Sequence, residues 1–172
     1  DHAELEQPIH VIFLVTALGH EAATQPRVLI VVGRDTRATV IETYASLDDS
    51  IQTLTNSVTE VVVGAGSALN RYTMQLQNEE TYGVATTHVE VQENANFTSV
   101  YTDIGGALIR NNLNVDMVGE GGYCTLNGSY IVSRSQHIDN QVIIDHKVGH
   151  TGARELYKGI LDGKSRSVFH GS

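Results

Sequence analysis

Residues Gln136 to His150, QHIDNQVIIDHKVGH, hold three histidines (His137, His146, His150) and two aspartates (Asp139, Asp145). Imidazole and carboxylate are the side chains that ligate zinc or iron and that carry protons near neutral pH. His146 and His150 stand four apart, a spacing that pairs ligands on one face of a helix. On a strand–turn–strand path the same spacing does not bring them together, so convergence with His137, Asp139 or Asp145 needs neighbouring segments to stack. The expectation is polar residues at turns of a scaffold. His137, His146 and His150 are kept as the candidates for a metal site, and no catalytic or cofactor-binding residue is assigned.

Other chemistry is thinner. DGKS, Asp162–Ser165, resembles the end of a phosphate-binding loop, but Gly159 lies one residue too close to Gly163 and a strand rather than a helix follows. It reads as a β-turn with Lys164 at its tip. Cys124, in EGGYCTLNG, has no cation or histidine nearby in sequence to favour its thiolate. It reads as a small buried strand residue, in one column with Asn70, Thr98 and Thr151. Between Arg154 and Arg166, charges at Arg154, Glu155, Lys158, Asp162, Lys164 and Arg166 alternate with apolar residues. This predicts a solvated strand with cross-strand ion pairs.

The elements that must position these residues come in a repeat. RVLIVVGRDTRATVIETY (27–44), EVVVGAGSALNRYTMQL (60–76), HVEVQENANFTSVYTDI (88–104), NVDMVGEGGYCTLNGSY (114–130) and QVIIDHKVGHTGARELY (141–157) share one plan. Each is a Val/Ile-rich strand, a turn of Gly, Asn and small residues, then a second strand. The starts at 60, 88, 114 and 141 predict a period of about 27 residues, and SRSVFHGS opens one strand more. Val89 and Val91 flank Glu90, and Val115 and Met117 flank Asp116, so the apolar members point to one side. Small residues follow the turns at Ala38, Ala68, Asn96, Gly122 and Gly149. Only ELEQ at the start and the stretch Leu47–Gln52 hint at helix. Stacked coils of one all-β domain, a right-handed parallel β-helix over residues 1–172, fit this plan. A β-sandwich of hairpins is the rival fold.

Composition narrows the function. The 172 residues are 41% hydrophobic but only 6% aromatic, with no Trp, so the core must be lean and aliphatic. A net charge of −9 without any basic run excludes a phosphate backbone and an anionic membrane surface as partners. The longest apolar runs are too short to span a bilayer. A single cysteine makes no internal disulfide and fits a reducing compartment. The sequons at Asn96 and Asn127 are not expected to be used. The sequence lacks an initiator Met and reads as a piece of a longer chain.

The tract GGALIRNNLNVDMVGEGGYCTLNGSYIVSRSQHIDNQVIIDHKVGHTGARELYKGILDGKSRSVFHG, above all RELYKGILDGKSRSVFHG, resembles the core domain of the SufD-type members of the SufB/SufD family. PRVLIVVGRDTRATVIETY and NSVTEVVVGAGSALNRY extend the likeness, so it runs from about Ile9 to Gly171. The resemblance implies a right-handed parallel β-helix and a place in iron–sulfur cluster assembly. It implies a non-catalytic scaffold subunit that pairs with SufB, works with the ATPase SufC and supports iron acquisition. A cluster would then be held transiently by the complex and not by this chain alone. A homodimer is the other association considered. It places the chain in the bacterial cytoplasm or the plastid stroma. Family members also carry an N-terminal helical region, further coils and a C-terminal helical segment that binds SufC, all expected to lie outside this sequence. The family's usual FNG is FHG here, with His170 in place of Asn.

Two rivals come from the residues themselves. One is a β-helix enzyme on acidic polysaccharide using Asp139, Asp145 and Lys147 or Arg154. The other is a simple metal-binding module.

Overall fold

Threonine, valine and isoleucine alternate with polar residues through most of the chain, the composition of pleated, half-buried strands. In a computed structural model, which describes residues 3–16, 19–48 and 50–172, every regular element is a strand. Four short strands come first: β1 (Ala3–Glu4), β2 (Ile9–Val15), β3 (Ala22–Thr24) and β4 (Arg27–Val32). Longer ones follow: β5 (Thr36–Ser46), β6 (Thr53–Val63), β7 (Ala68–Leu76), β8 (Thr81–Val91) and β9 (Asn96–Asp103). The last are β10 (Leu108–Met117), β11 (Tyr123–Val132), β12 (His137–His146), β13 (Gly152–Leu161) and β14 (Arg166–Gly171). The helical hint at ELEQ is not realised: β1 takes Glu4, and Leu5–Gln7 is irregular. Of Leu47–Gln52, Asp49 lies outside the described residues and the rest is bend or coil.

Successive strands do not pair with each other. One sheet stacks β1, β5, β7, β9, β11 and β13, with β2 also on β5, and the other stacks β3, β6, β8, β10, β12 and β14, with β4 also on β6. Every ladder is parallel. The two strands around each turn therefore enter different sheets, which rules out the hairpin sandwich and gives a β-helix of about 6 turns. Its repeat is near 29 residues rather than about 27. The coils differ in turn length: Tyr82 pairs with Leu108, 26 residues on, whereas Ala38 pairs with Leu69, 31 residues on.

The turns between the sheets also stack. Asp35, Gly66, Asn94, Gly121 and His150 all adopt positive φ, between 53° and 72°, one per coil. Asn, Asp and His are the non-glycine residues that tolerate this left-handed region best.

Inside, each coil reads polar, then apolar, then turn, then apolar, then polar. Along β6 the inward residues are Thr53, Thr55, Ser57, Thr59, Val61 and Val63; along β7 they are Leu69, Arg71, Thr73 and Gln75. Stacking coils thus builds two zones. Next to the turns lies an aliphatic core of Val61, Val63, Leu69, Val89, Val91, Phe97, Val115, Met117, Cys124 and Leu126. Deeper along the strands lies a polar seam.

The expected column is off by one residue at Asn70 and Thr98 and by two at Thr151. Cys124 stacks on Phe97, which stacks on Leu69, and on its other side meets Ala153. It does not share a column with Asn70, Thr98 or Thr151. Because side chains alternate sides along a strand, a one-residue slip moves a residue to the opposite face. Burial of Cys124 itself is complete.

Candidate functional site

The three candidate histidines do not converge. His137 opens β12 between Leu108 and Arg166, while His146 closes the same strand opposite Met117. Nine residues of extended chain hold them about 30 Å apart. His146 Nδ1 lies 2.6 Å from Thr151 Oγ1, and the His150 carbonyl accepts a bond from the Gly121 N–H at 3.0 Å. Among the described residues, no three His, Cys, Asp or Glu side chains come together as a metal site.

The aspartates of this segment are engaged separately. Arg110 donates to Asp139 at 3.0 Å, and Lys147 donates to Asp145 at 2.8 Å. Six residues apart on one strand, the carboxylates are about 20 Å from each other. A glycosidase pair works at roughly 5–9.5 Å, so this geometry does not support the polysaccharide reading. The charges from Arg154 to Arg166 form none of the ion pairs found among the described residues. Three of the six lie on β13, where Arg154 and Lys158 face solvent and Glu155 turns toward the coil interior beside Leu126. The turn at Asp162–Ser165 is present, with Gly163 at φ 66° and the Lys164 N–H donating to the Arg134 carbonyl at 2.7 Å.

The dense chemistry lies in the polar seam. Arg71 on β7 is buried and forms an ion pair with Glu42 on β5, and its Nη1 donates to the Tyr101 hydroxyl on β9 at 2.8 Å. The Tyr101 hydroxyl in turn shares a 3.0 Å hydrogen bond with Thr87 on β8. Burial alone would make the Arg71 guanidinium easier to deprotonate, but Tyr101 and Glu42 hold it above its ordinary value. Further along, Asn111 Nδ2 bridges Asp103 Oδ2 at 2.9 Å and Asn140 Oδ1 at 3.0 Å. Gln77 donates from its amide to Gln75 and from its side chain to Thr55, both at 2.9 Å.

These residues went unnoticed in the sequence, although a signal was there. In ATVIETYAS the acid Glu42 occupies an inward position between Val40 and Tyr44. In ALNRYTMQL the base Arg71 does the same after Leu69. A lone acid and a lone base on inward positions of successive coils must meet or remain unpaired. Cys124 carries no comparable chemistry: burial, with Glu155 adding to it, pushes its thiol up to about 12. That keeps it protonated and inert.

The fold and its interior define a parallel β-solenoid protein with an internal polar seam. A model described as SUF system FeS cluster assembly, SufBD core domain, matches residues 13–172, and the chain belongs to that family. It is 24% identical over 177 residues to an iron–sulfur cluster assembly SufBD family protein of Synechocystis, covering 99% of this chain and 39% of the relative. It is 28% identical over 134 residues to the iron–sulfur cluster assembly protein SufD of Escherichia coli, covering 78% and 31%. The chloroplastic protein ABCI7 of Arabidopsis thaliana is 25% identical over 177 residues, covering 98% and 37%. The chain thus spans less than two-fifths of the length of these relatives. No helix among the described residues is long and apolar enough to cross a membrane.

Proposed function

We propose that this chain is the β-helical core of a scaffold subunit in iron–sulfur cluster biogenesis. It acts through assembly with SufB- and SufC-type partners rather than by catalysing a reaction, and it supports iron delivery to the growing cluster. The compartment that fits is the bacterial cytoplasm or the plastid stroma. The observation that carries the reading is membership of the SufBD core family over residues 13–172.

Two structural features support it. Clusters are held by thiolates, and the single thiol here is buried and held protonated, so a cluster needs ligands from elsewhere. Second, the outer face of the β5 sheet carries an aliphatic row. Leu14, Ala45 and Leu76 are in register, and Ile104, Ile131 and Ile160 continue it, with Ile131 paired to Ile160. The five large members are 41–65% exposed, and contiguous apolar surface of this kind marks contact sites.

The test is co-purification from cells expressing this protein with SufB and SufC, followed by reconstitution with ferrous iron and sulfide. Cluster absorbance is expected for the assembly and not for this chain alone. A stoichiometric, chelator-resistant cluster on the chain alone, or failure to co-purify with either partner, overturns the reading.

A further inference from the structure

The chain carries a net charge of −9, yet its acids avoid one side of the solenoid. The outward side chains of β2, β5, β7, β9 and β11 include no Asp or Glu, and the aliphatic row from Leu14 to Ile160 runs along this face. The outward side of the other sheet carries Glu60, Glu90, Asp116, Asp139 and Asp145. At the centre of the acid-free face, Ile41, Tyr72 and Val100 are in register. With Met74 and Thr102 they line an open, apolar depression of about 310 Å³. Tyr72, 40% exposed, stands at its rim.

A two-fold contact sets a patch on one copy against the same patch on the other. An anionic chain therefore meets its own copy most readily through a face cleared of acids. A different protein needs no such clearing, because complementary charge would select it and speed its docking. The size also agrees. Six rungs about 4.8 Å apart, with strands about 30 Å long, make a face of roughly 850 Å². A stable interface buries about 800 Å² on each partner. We propose that two copies of this chain dimerise face to face through the outer side of the β5 sheet. The inference goes beyond the iron–sulfur reading, which leaves the occupant of this face unnamed, and does not depend on it.

A two-fold axis along the strands, crossing between β7 and β9, makes the face self-complementary. It reverses the order of the rungs, so Tyr72 of each copy lies over Val100 of the other and enters the depression there. Aromatic side chains seated in central pockets of this kind carry a large share of binding energy. The same axis sets β13, with Arg154 and Lys158 outward, over the β1–β2 end of the other copy. Glu4 and Glu6 are exposed at that end. The cations at one end of the face thus meet the acids at the other.

Sedimentation velocity of the chain from micromolar to submillimolar concentration tests this. The expected result is a reversible species of twice the 18.7 kDa of one chain, and a monomer throughout overturns the proposal. Met74→Glu and Val100→Glu each bury a carboxylate against its own image and should raise the dimer Kd about 30-fold or more. Thr86→Glu, outward on the other sheet, should leave it unchanged. A dimer that survives both face substitutions overturns the proposal, because the copies then join elsewhere, for example strand to strand at the ladder ends of β13 and β14. Hydroxyl-radical footprinting of the unmodified chain decides without a variant. Tyr72 and Met74 should lose reactivity as the dimer forms while Tyr82, exposed on the other sheet, keeps its own; unchanged reactivity of Tyr72 and Met74 in the dimer refutes the face.

Discussion

His150 stands at φ 56° in the turn after β12, the place that Gly66, Asn94 and Gly121 take in the preceding coils. An L-residue in this left-handed region costs about 1–2 kcal/mol relative to the right-handed one, less for the few types that tolerate it. Its side chain is exposed, and its backbone carbonyl does the structural work by accepting from Gly121. His150→Gly is therefore expected to leave stability unchanged or to raise it by up to about 1 kcal/mol, the gain in backbone fit being partly offset by a more flexible unfolded chain. His150→Val, β-branched, should lower it by about 1–2 kcal/mol. Urea unfolding with matched slopes measures both, and a clear loss in the glycine variant would show that the imidazole matters beyond the turn. A histidine that drew the eye as a metal ligand is better explained by the backbone angle it accepts.

At the scale of elements, the Glu42–Arg71 pair ties β5 to β7, and Arg71 reaches on to Tyr101 of β9, so three successive rungs of one sheet share a single buried charge network. Removing one member of a buried pair leaves the other without compensation. Arg71→Met is expected to cost about 3–5 kcal/mol. Adding Glu42→Gln to it should recover a large part of that loss, because no buried charge then remains. A double-mutant cycle by denaturant unfolding checks this, and additive losses would mean that the two groups do not depend on each other. The network also shows what could be read from sequence and what could not. Local alternation was legible: Val89, Val91, Val115 and Met117 are inward as expected, since side-chain direction depends only on neighbours along the strand. So was the coil plan, because turn residues recur once per coil. Which residue stacks on which was not legible, because coils vary from 26 to 33 residues and an error of one position exchanges inside for outside. The column expected for Cys124 fails for that reason at Asn70 and Thr98, and by two positions at Thr151. The Glu42–Arg71 pairing likewise needs the true register before it comes into view.

Across the whole molecule, stability is distributed along one axis. Each coil packs mainly on the coils above and below it, the Arg134–Glu79 ion pair reaching across two coils, so the free energy behaves to first order as a sum of coil terms and nearest-neighbour terms. Strands β7 to β12 have a hydrogen-bonded neighbour on both sides, whereas β13 and β14 each end a ladder. At the other end β1 and β3 are only two and three residues long, and β2 and β4 leave Ile9, Ile12, Leu14, Leu29 and Val31 exposed. The core narrows the same way: the fully buried residues Val63, Leu69, Val89, Val91, Phe97, Met117, Cys124 and Leu126 sit in the middle coils. Opening an end coil therefore exposes little apolar surface and breaks one interface, whereas opening a middle coil breaks two. Native-state hydrogen exchange should then show a gradient, with amides of β8 to β11 exchanging most slowly, those of β13 and β14 faster, and those of β1 to β4 fastest. Mass spectrometry of peptides from each strand measures it. Equal protection from end to end would mean that the chain opens only as a unit, and that the coils are coupled far more strongly than contact between neighbours provides.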